Sequence, residues 1–326
     1  MAPALWGTTY LVTTELLPEH RPLLAGTLRA LPAGLLLIGL VAALAGRKSV
    51  PTGAWWWRAP LLGVLNIGVF FALLFVAAYR LPGGVAAVVG AVGPFVVAGI
   101  AFVLFRDRPS RRTLVAAAVG VGGVAVLVLR SSVALDPVGL LAAAGGTLTM
   151  SLGTVLGRRW GTPPSFPRRS TALLALTGWQ LTTGGLILLP VALAVEGLPQ
   201  TLTQANLGGF GYLTLVGTAL AYFLWFRGVT SLAPARVTVL ALLSPTVAAG
   251  LGWAVLGQSL SAGQLVGAAA VLGAVLLGTS TPAAKPAAAP AAEPAAAPAA
   301  EPAVEPAARP AVAPCPPLPV LQRAAA

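Results

Sequence analysis

Pro94-Phe-Val-Val-Ala-Gly99 and Pro245-Thr-Val-Ala-Ala-Gly250 are two versions of one segment, and their pairing decides the fold. The 151-residue offset that carries Pro94 onto Pro245 holds without a gap from 75–126 to 226–277. It lays Phe75, Leu81, Val88, Ser110, Leu114 and Val115 on identical residues. Apolar composition alone supplies chance matches, but it does not easily bring both prolines and both loop serines, Ser110 and Ser261, into one register. Self-similarity at a fixed offset marks a duplicated architecture.

Outward from these segments, charged and Pro/Gly breaks divide the chain into ten apolar runs: 2–17, 23–45, 59–79, 83–105, 112–130, 137–157, 171–195, 207–227, 234–256 and 261–279. Crossing the hydrocarbon takes about 20 apolar residues as a helix. A β-barrel strand is a shorter segment of alternating polarity. The continuous Ala/Leu/Val/Gly runs therefore predict helices, which satisfy their backbone groups internally. The first run is short for a span. It lacks a basic leading region, which argues for a membrane helix rather than a cleaved signal peptide.

Of the 326 residues, 57% are hydrophobic and 9% charged, whereas a soluble domain carries about 25% charged residues. A soluble enzyme is excluded. The single cysteine, Cys315, excludes an internal disulfide, and the single histidine, His20, excludes a His-rich metal site. Residues 281–326 repeat Pro-Ala-Ala with scattered Glu. Proline at that density blocks helix propagation, so a solvated, disordered cytoplasmic tail is expected.

The net charge of +12 raises nucleic acid as a partner until the charges are placed. Arg47, Lys48 and Arg58 follow span 2; Arg106, Arg108, Arg111 and Arg112 follow span 4; Arg158, Arg159, Arg168 and Arg169 follow span 6; Arg227 and Arg236 follow span 8. With the tail's Lys285, Arg309 and Arg323 they fall on one side of a ten-span chain, against Arg21, Arg80 and Arg130 on the other. Lys and Arg in short loops mark the cytoplasmic side. The expectation is a bacterial inner-membrane protein with both termini cytoplasmic and no nucleic-acid partner.

Each copy of the repeat holds five spans, an odd number, so the two copies cross the membrane in opposite senses. The expected architecture is an all-α polytopic membrane protein of ten transmembrane helices in two inverted five-helix repeats, 1–130 and 131–280. Inverted repeats suit alternating access, with a solute site near the midplane between the halves.

Several motifs carry a family resemblance. They are Trp6-Gly-Thr-Thr, Leu28-Arg29-Ala30, Pro94 and Pro245, and Gly217-Thr-Ala-Leu-Ala-Tyr-Phe-Leu-Trp-Phe-Arg-Gly228 followed by Gly257-Gln-Ser-Leu. Over 1–279 the chain resembles the EamA type of the drug/metabolite transporter superfamily. The resemblance implies ten helices in two inverted bundles and export of small metabolites, often amino acids or drugs. Gln258 stands where the family often carries Glu.

Pro94 and Pro245 sit near mid-span, where proline removes a backbone bond and kinks a helix. They are helix-kink or gating candidates. Arg29 is the one basic residue well inside a span; it either snorkels to the interface or meets a substrate carboxylate in a cavity. Asn66, Gln180, Tyr222 and Trp225 lie in spans 3, 7 and 8, and Thr9 and Thr147 in spans 1 and 6. These are substrate-cavity candidates. For the amides the alternative is interhelical glue, for the hydroxyls a bond to their own helix backbone, and for the aromatics an interface anchor. Trp55, Trp56 and Trp57 beside Arg58 read as such anchors.

No carboxylate lies deep in a span, so facilitative or exchange transport is expected unless Glu15 carries a proton. No phosphate-binding loop, metal-ligand cluster or nucleophile–base pair is visible, so no cofactor, metal or catalytic residue is assigned and an enzyme is not expected. The partners expected are a small-molecule solute and the lipid bilayer, with monomer and homodimer both open. The competing reading is a non-transport scaffold or sensor whose Pro/Ala tail binds a partner; a scaffold has no need of an inverted repeat.

Overall fold

The computed structural model describes residues 1–18, 21–81, 83–128, 136–199, 201–232, 234–257 and 259–279. Contacts divide the chain into Met1–Ala283 and Ala284–Ala326, and every described helix belongs to the first unit. The tail expected at 281–326, Arg130 and Gln258 lie outside the described residues. No strand occurs among the described residues, and the fold is that of an all-α polytopic membrane protein.

Among the described residues, fourteen α-helices build the spans. α1 (Ala2–Leu16) and α2 (Pro22–Ala45) are the first two. Span 3 is α3 (Trp55–Gly63), a π-helical segment at Val64–Gly68 and α4 (Val69–Arg80). Span 4 is α5 (Gly83–Ala91) and α6 (Gly93–Phe105), and span 5 is α7 (Arg111–Val128). The second half repeats the series with α8 (Pro137–Trp160), α9 (Arg169–Val195), then α10 (Gln204–Thr214), a π-helical segment at Leu215–Leu220 and α11 (Ala221–Ser231). It closes with α12 (Pro234–Ala241), α13 (Leu243–Leu256) and α14 (Ala262–Thr279). Eight of these spans are long and apolar enough to cross a bilayer, while α1 and the apolar run Ala262–Gly278 are shorter.

The two series correspond in detail. The 151-residue offset carries α7 onto α14 end for end, and it carries the π-helical segment of span 3 onto that of span 8. Runs of π-helix are rare and concentrate at functional sites, so a repeat-related pair of them is informative. Even the helix ends correspond: α6 stops at Arg106 and α13 at Gly257, both left-handed, with φ of 58° and 64°. That conformation suits glycine and costs an L-residue about 1–2 kcal/mol.

The prolines do more than bend their spans. Span 4 breaks at Val92 and span 9 at Leu242, and Pro94 and Pro245 fall in the first turn of the following helix. There the missing N–H costs nothing, because the first-turn donors have no intrahelical partner. The kink expected from the sequence is therefore a helix restart.

Packing is closest where α2 crosses α9. A Cβ on Gly34 would stand 2.5 Å from the Thr182 nitrogen, and one on Gly185 would stand 2.7 Å from Leu31 Cβ. Gly34 and Gly185 are repeat mates, as are Leu31 and Thr182, so this contact maps onto itself across the two-fold relation between halves. Another contact does not. α12 packs on α6 and α7, whereas the counterpart packing of α5 on α13 and α14 is at most slight among the described residues.

Candidate functional site

Two polar seams join the halves. In span 8 the Ala221 N–H bonds the Val216 and Thr218 carbonyls, passing over Gly217, its partner in an ordinary α-helix. Arg29 of α2 reaches that carbonyl, donating from Nη2 to Gly217 O at 3.0 Å and from Nε to Thr218 Oγ1 at 2.8 Å. Its guanidinium also lies over the Phe71 ring, 5.4 Å from the centroid. Arg29 thus points into the helix packing, and snorkelling to the interface does not describe it. Next to it, Thr214 Oγ1 donates to Leu28 O at 3.1 Å.

The second seam joins span 3 to α9. Asn66, within the π-helical segment, donates from Nδ2 to Gln180 Oε1 at 2.8 Å, and both residues are buried, at 2% and 1% exposure. Asn66 Oδ1 has no hydrogen-bond partner among the described residues. Its amide fits against Gly153 of α8, where a Cβ would collide with it.

An aromatic cluster adjoins the Arg29 seam through Phe71. Trp6 of α1 packs on Tyr222 at 5.2 Å and on Trp225 at 5.1 Å, and Tyr222 meets Phe71 at 6.5 Å, near edge-on. Tyr222 and Trp225 are buried, so neither serves as an interface anchor. The Trp6 indole Nε1 is also buried without a partner among the described residues. Buried polar groups are almost always hydrogen-bonded. The Trp6 donor and the Asn66 acceptor are exceptions to that rule among the described residues.

The remaining candidates are dispersed. Thr9 donates to Leu5 O at 3.3 Å within its own helix, although its Oγ1 also approaches Gly217. Thr147 bonds Ala143 O at 2.9 Å and lies beside Gly93 at the span 4 break. Gly7 lies correspondingly against Ser244 at the span 9 break. Spans 1 and 6 thus flank the two helix restarts that contain Pro245 and Pro94. Of the tryptophans expected at the interface, Trp56 and Trp57 are exposed, but Trp55 is 4% exposed and packs with Ala59, Leu62 and Trp179. It opens α3 on the inward face. Phe71, Gly217, Thr218 and Trp6 were missed as site residues. Carrying the offset back beyond residue 75 would have found Phe71, because it maps onto Tyr222.

Comparison with known proteins gives the family and the fold. The chain matches the model of the EamA-like transporter family over 1–129 and 137–280. It is 45% identical over 276 residues to Protein PecM of Dickeya dadantii (strain 3937), spanning 85% of this chain and 89% of PecM. It is 27% identical over 276 residues to the "Uncharacterized inner membrane transporter YedA" of Escherichia coli (strain K12), spanning 84% and 87%. It is 25% identical over 280 residues to the "Probable amino-acid metabolite efflux pump" of Salmonella typhimurium (strain LT2), spanning 82% and 88%. A crystal structure at 19% identity superimposes with a TM-score of 0.71 over 85% of this chain and 94% of its own, a likeness of fold.

Proposed function

Since the chain belongs to the EamA-like transporter family and is a multi-pass membrane transporter, we propose that it exports a small organic metabolite, amino-acid-like or a drug, by alternating access between its halves. The halves are 1–130 and 131–280, and the protein sits in the inner membrane with both termini cytoplasmic. One observation carries the reading: the offset that turns Arg29 into Gln180 also turns Asn66 into Gly217. The Arg29–Gly217 seam and the Gln180–Asn66 seam are thus the same junction made twice, once from each half. Inverted repeats switch access by exchanging the conformations of their halves about such a site.

The uneven packing of α12 and α5 supports the same mechanism. The contact of α12 with α6 lies at the end carrying Arg106 and Arg236, and its counterpart at the other end is at most slight among the described residues. We read this difference as a state closed at the cytoplasmic end, which exchange of the two arrangements opens. The name of the Salmonella relative, an amino-acid metabolite efflux pump, supports the outward direction and the amino-acid-like class. The solute meets Arg29, Trp6, Asn66, Tyr222 and Trp225, with Thr9 and Gln180 at the margin. Pro94 and Pro245 belong to the moving helix restarts, and Thr147 of α8 packs beside the first of them.

A solute-accumulation screen tests this. Cells overexpressing the chain hold less of an amino-acid-like solute than deletion cells, and everted vesicles take that solute up. Identical solute pools in the two strains, with no vesicle uptake, overturn the proposal.

A further inference from the structure

Away from the Arg29 seam, a cavity of about 560 Å³ lies at the arginine-rich end of the helices. Arg58 of α3, Leu104 and Phe105 of α6, and Leu156, Arg159 and Trp160 of α8 line it. The Arg58 guanidinium stands over the rings of Trp57 and Trp160, 5.5 and 5.4 Å from their centroids, and Arg159 stands over Phe105 at 5.3 Å. Trp57 and Trp160 meet edge to face at 5.1 Å. Stacking on a ring face holds a guanidinium in place while leaving its in-plane N–H donors open. Consistently, Arg58 Nε is buried without a hydrogen-bond partner among the described residues. No carboxylate lines the cavity.

Two guanidiniums in one cavity without a lining acid call for an anion, and the walls say which kind. Leu104 is 50% exposed, with Val103 and Trp57 exposed beside it. In a membrane protein such a surface faces acyl chains. Tryptophans at a span end mark head-group depth, and basic pockets between helices on the cytoplasmic side take anionic lipid head groups. A water-borne anion would need the arginines but not the exposed apolar wall beneath them. We propose that this cavity binds one anionic phospholipid, its phosphate between Arg58 and Arg159 and an acyl chain against Leu104 and Leu156. The lipid would tie α3, α6 and α8 together. The site is independent of what the protein transports.

Native mass spectrometry of the full chain, released from phosphatidylcholine nanodiscs doped with phosphatidylglycerol, tests the proposal. The unmutated chain retains phosphatidylglycerol in preference to phosphatidylcholine. Arg159→Gln, at an exposed position, weakens retention about fivefold, the effect of one interfacial cation; adding Arg58→Gln abolishes it. Arg158→Gln removes the same charge, but Arg158 is already bound to the Thr230 carbonyl, so its retention is unchanged. Equal loss from Arg158→Gln and Arg159→Gln would reduce the effect to general surface charge and overturn the site. So would an absence of lipid preference in the unmutated chain, or displacement of the lipid by soluble glycerol phosphate at matched concentration. The exposed Arg159→Gln decides the matter even if the double variant does not fold.

Discussion

Arg29 and Gln180 occupy the same position in the two halves, and each crosses to the π-helical segment of the opposite half. One seam is cationic and the other neutral, so the duplicated junction has become chemically one-sided. Arg29 supplies two donors in a fixed fork, one to a hydroxyl and one to a carbonyl, which a lysine ammonium cannot reproduce. Hydrogen bonds to charged groups are worth about 1.5–3 kcal/mol, or roughly ten- to a hundredfold. Arg29→Ala and Arg29→Lys are both expected to lower flux in everted vesicles by that factor, with protein levels unchanged. Full flux in Arg29→Lys would mean that charge alone suffices.

The neutral seam is expected to be weaker. Interhelical polar pairs in membranes average about 0.6 kcal/mol and reach about 1.7. A double-mutant cycle on Asn66→Ala and Gln180→Ala, read by thermal unfolding in detergent, should give a coupling within that range. A coupling indistinguishable from zero would show that the two amides are neighbours without being partners.

The crossing of α2 and α9 is predicted to be intolerant of a single methyl group. At Gly34 the obstacle is the Thr182 backbone nitrogen, and at Gly185 the Leu31 backbone, 2.8 Å away. Neither can rotate aside. Overpacking of this kind costs about 1–3 kcal/mol. Gly34→Ala and Gly185→Ala should each lower the unfolding temperature, while Gly39→Ala, which meets nothing within 4 Å, should leave it unchanged or raise it. Equal behaviour of all three would show that the helices are not in close contact.

These predictions also mark what was legible in the sequence. The apolar runs, the repeat and its register were readable because hydrophobic length and paired landmarks such as Pro94 and Pro245 are one-dimensional signals. The π-helical segments were not, because an apolar run reads the same whether its N–H groups reach back four residues or five. The partners of Arg29 were hidden for that reason: one of them is the Gly217 carbonyl, which a side-chain inventory does not contain. The inward turn of Trp55 was hidden as well. Three consecutive tryptophans beside an arginine look alike until helix α3 starts at Trp55 and rotates only that residue toward Trp179.

Among the described residues, the connection between the halves carries a clear pH dependence outside the spans. Asp136 caps α8 by accepting from the Gly139 N–H at 2.7 Å, and it faces Arg80 at 3.4 Å. The Gly139 N–H, with a lesser contribution from the Arg80 charge, lowers its pKa below the ordinary 3.8. A carboxylate whose pKa is lower in the folded state contributes stability above its unfolded value and loses it as the pH falls through the folded value. The cap should therefore contribute fully at neutral pH and weaken only in strong acid. Asp136→Asn retains an acceptor for Gly139 but cannot titrate, so its unfolding temperature should vary less below pH 4 than that of the unmutated chain. Asp136→Ala removes the acceptor and should be destabilised at neutral pH as well. If the asparagine variant retained the full acid sensitivity, another group would have to be responsible for it, and the cap would be acting through its hydrogen bond alone.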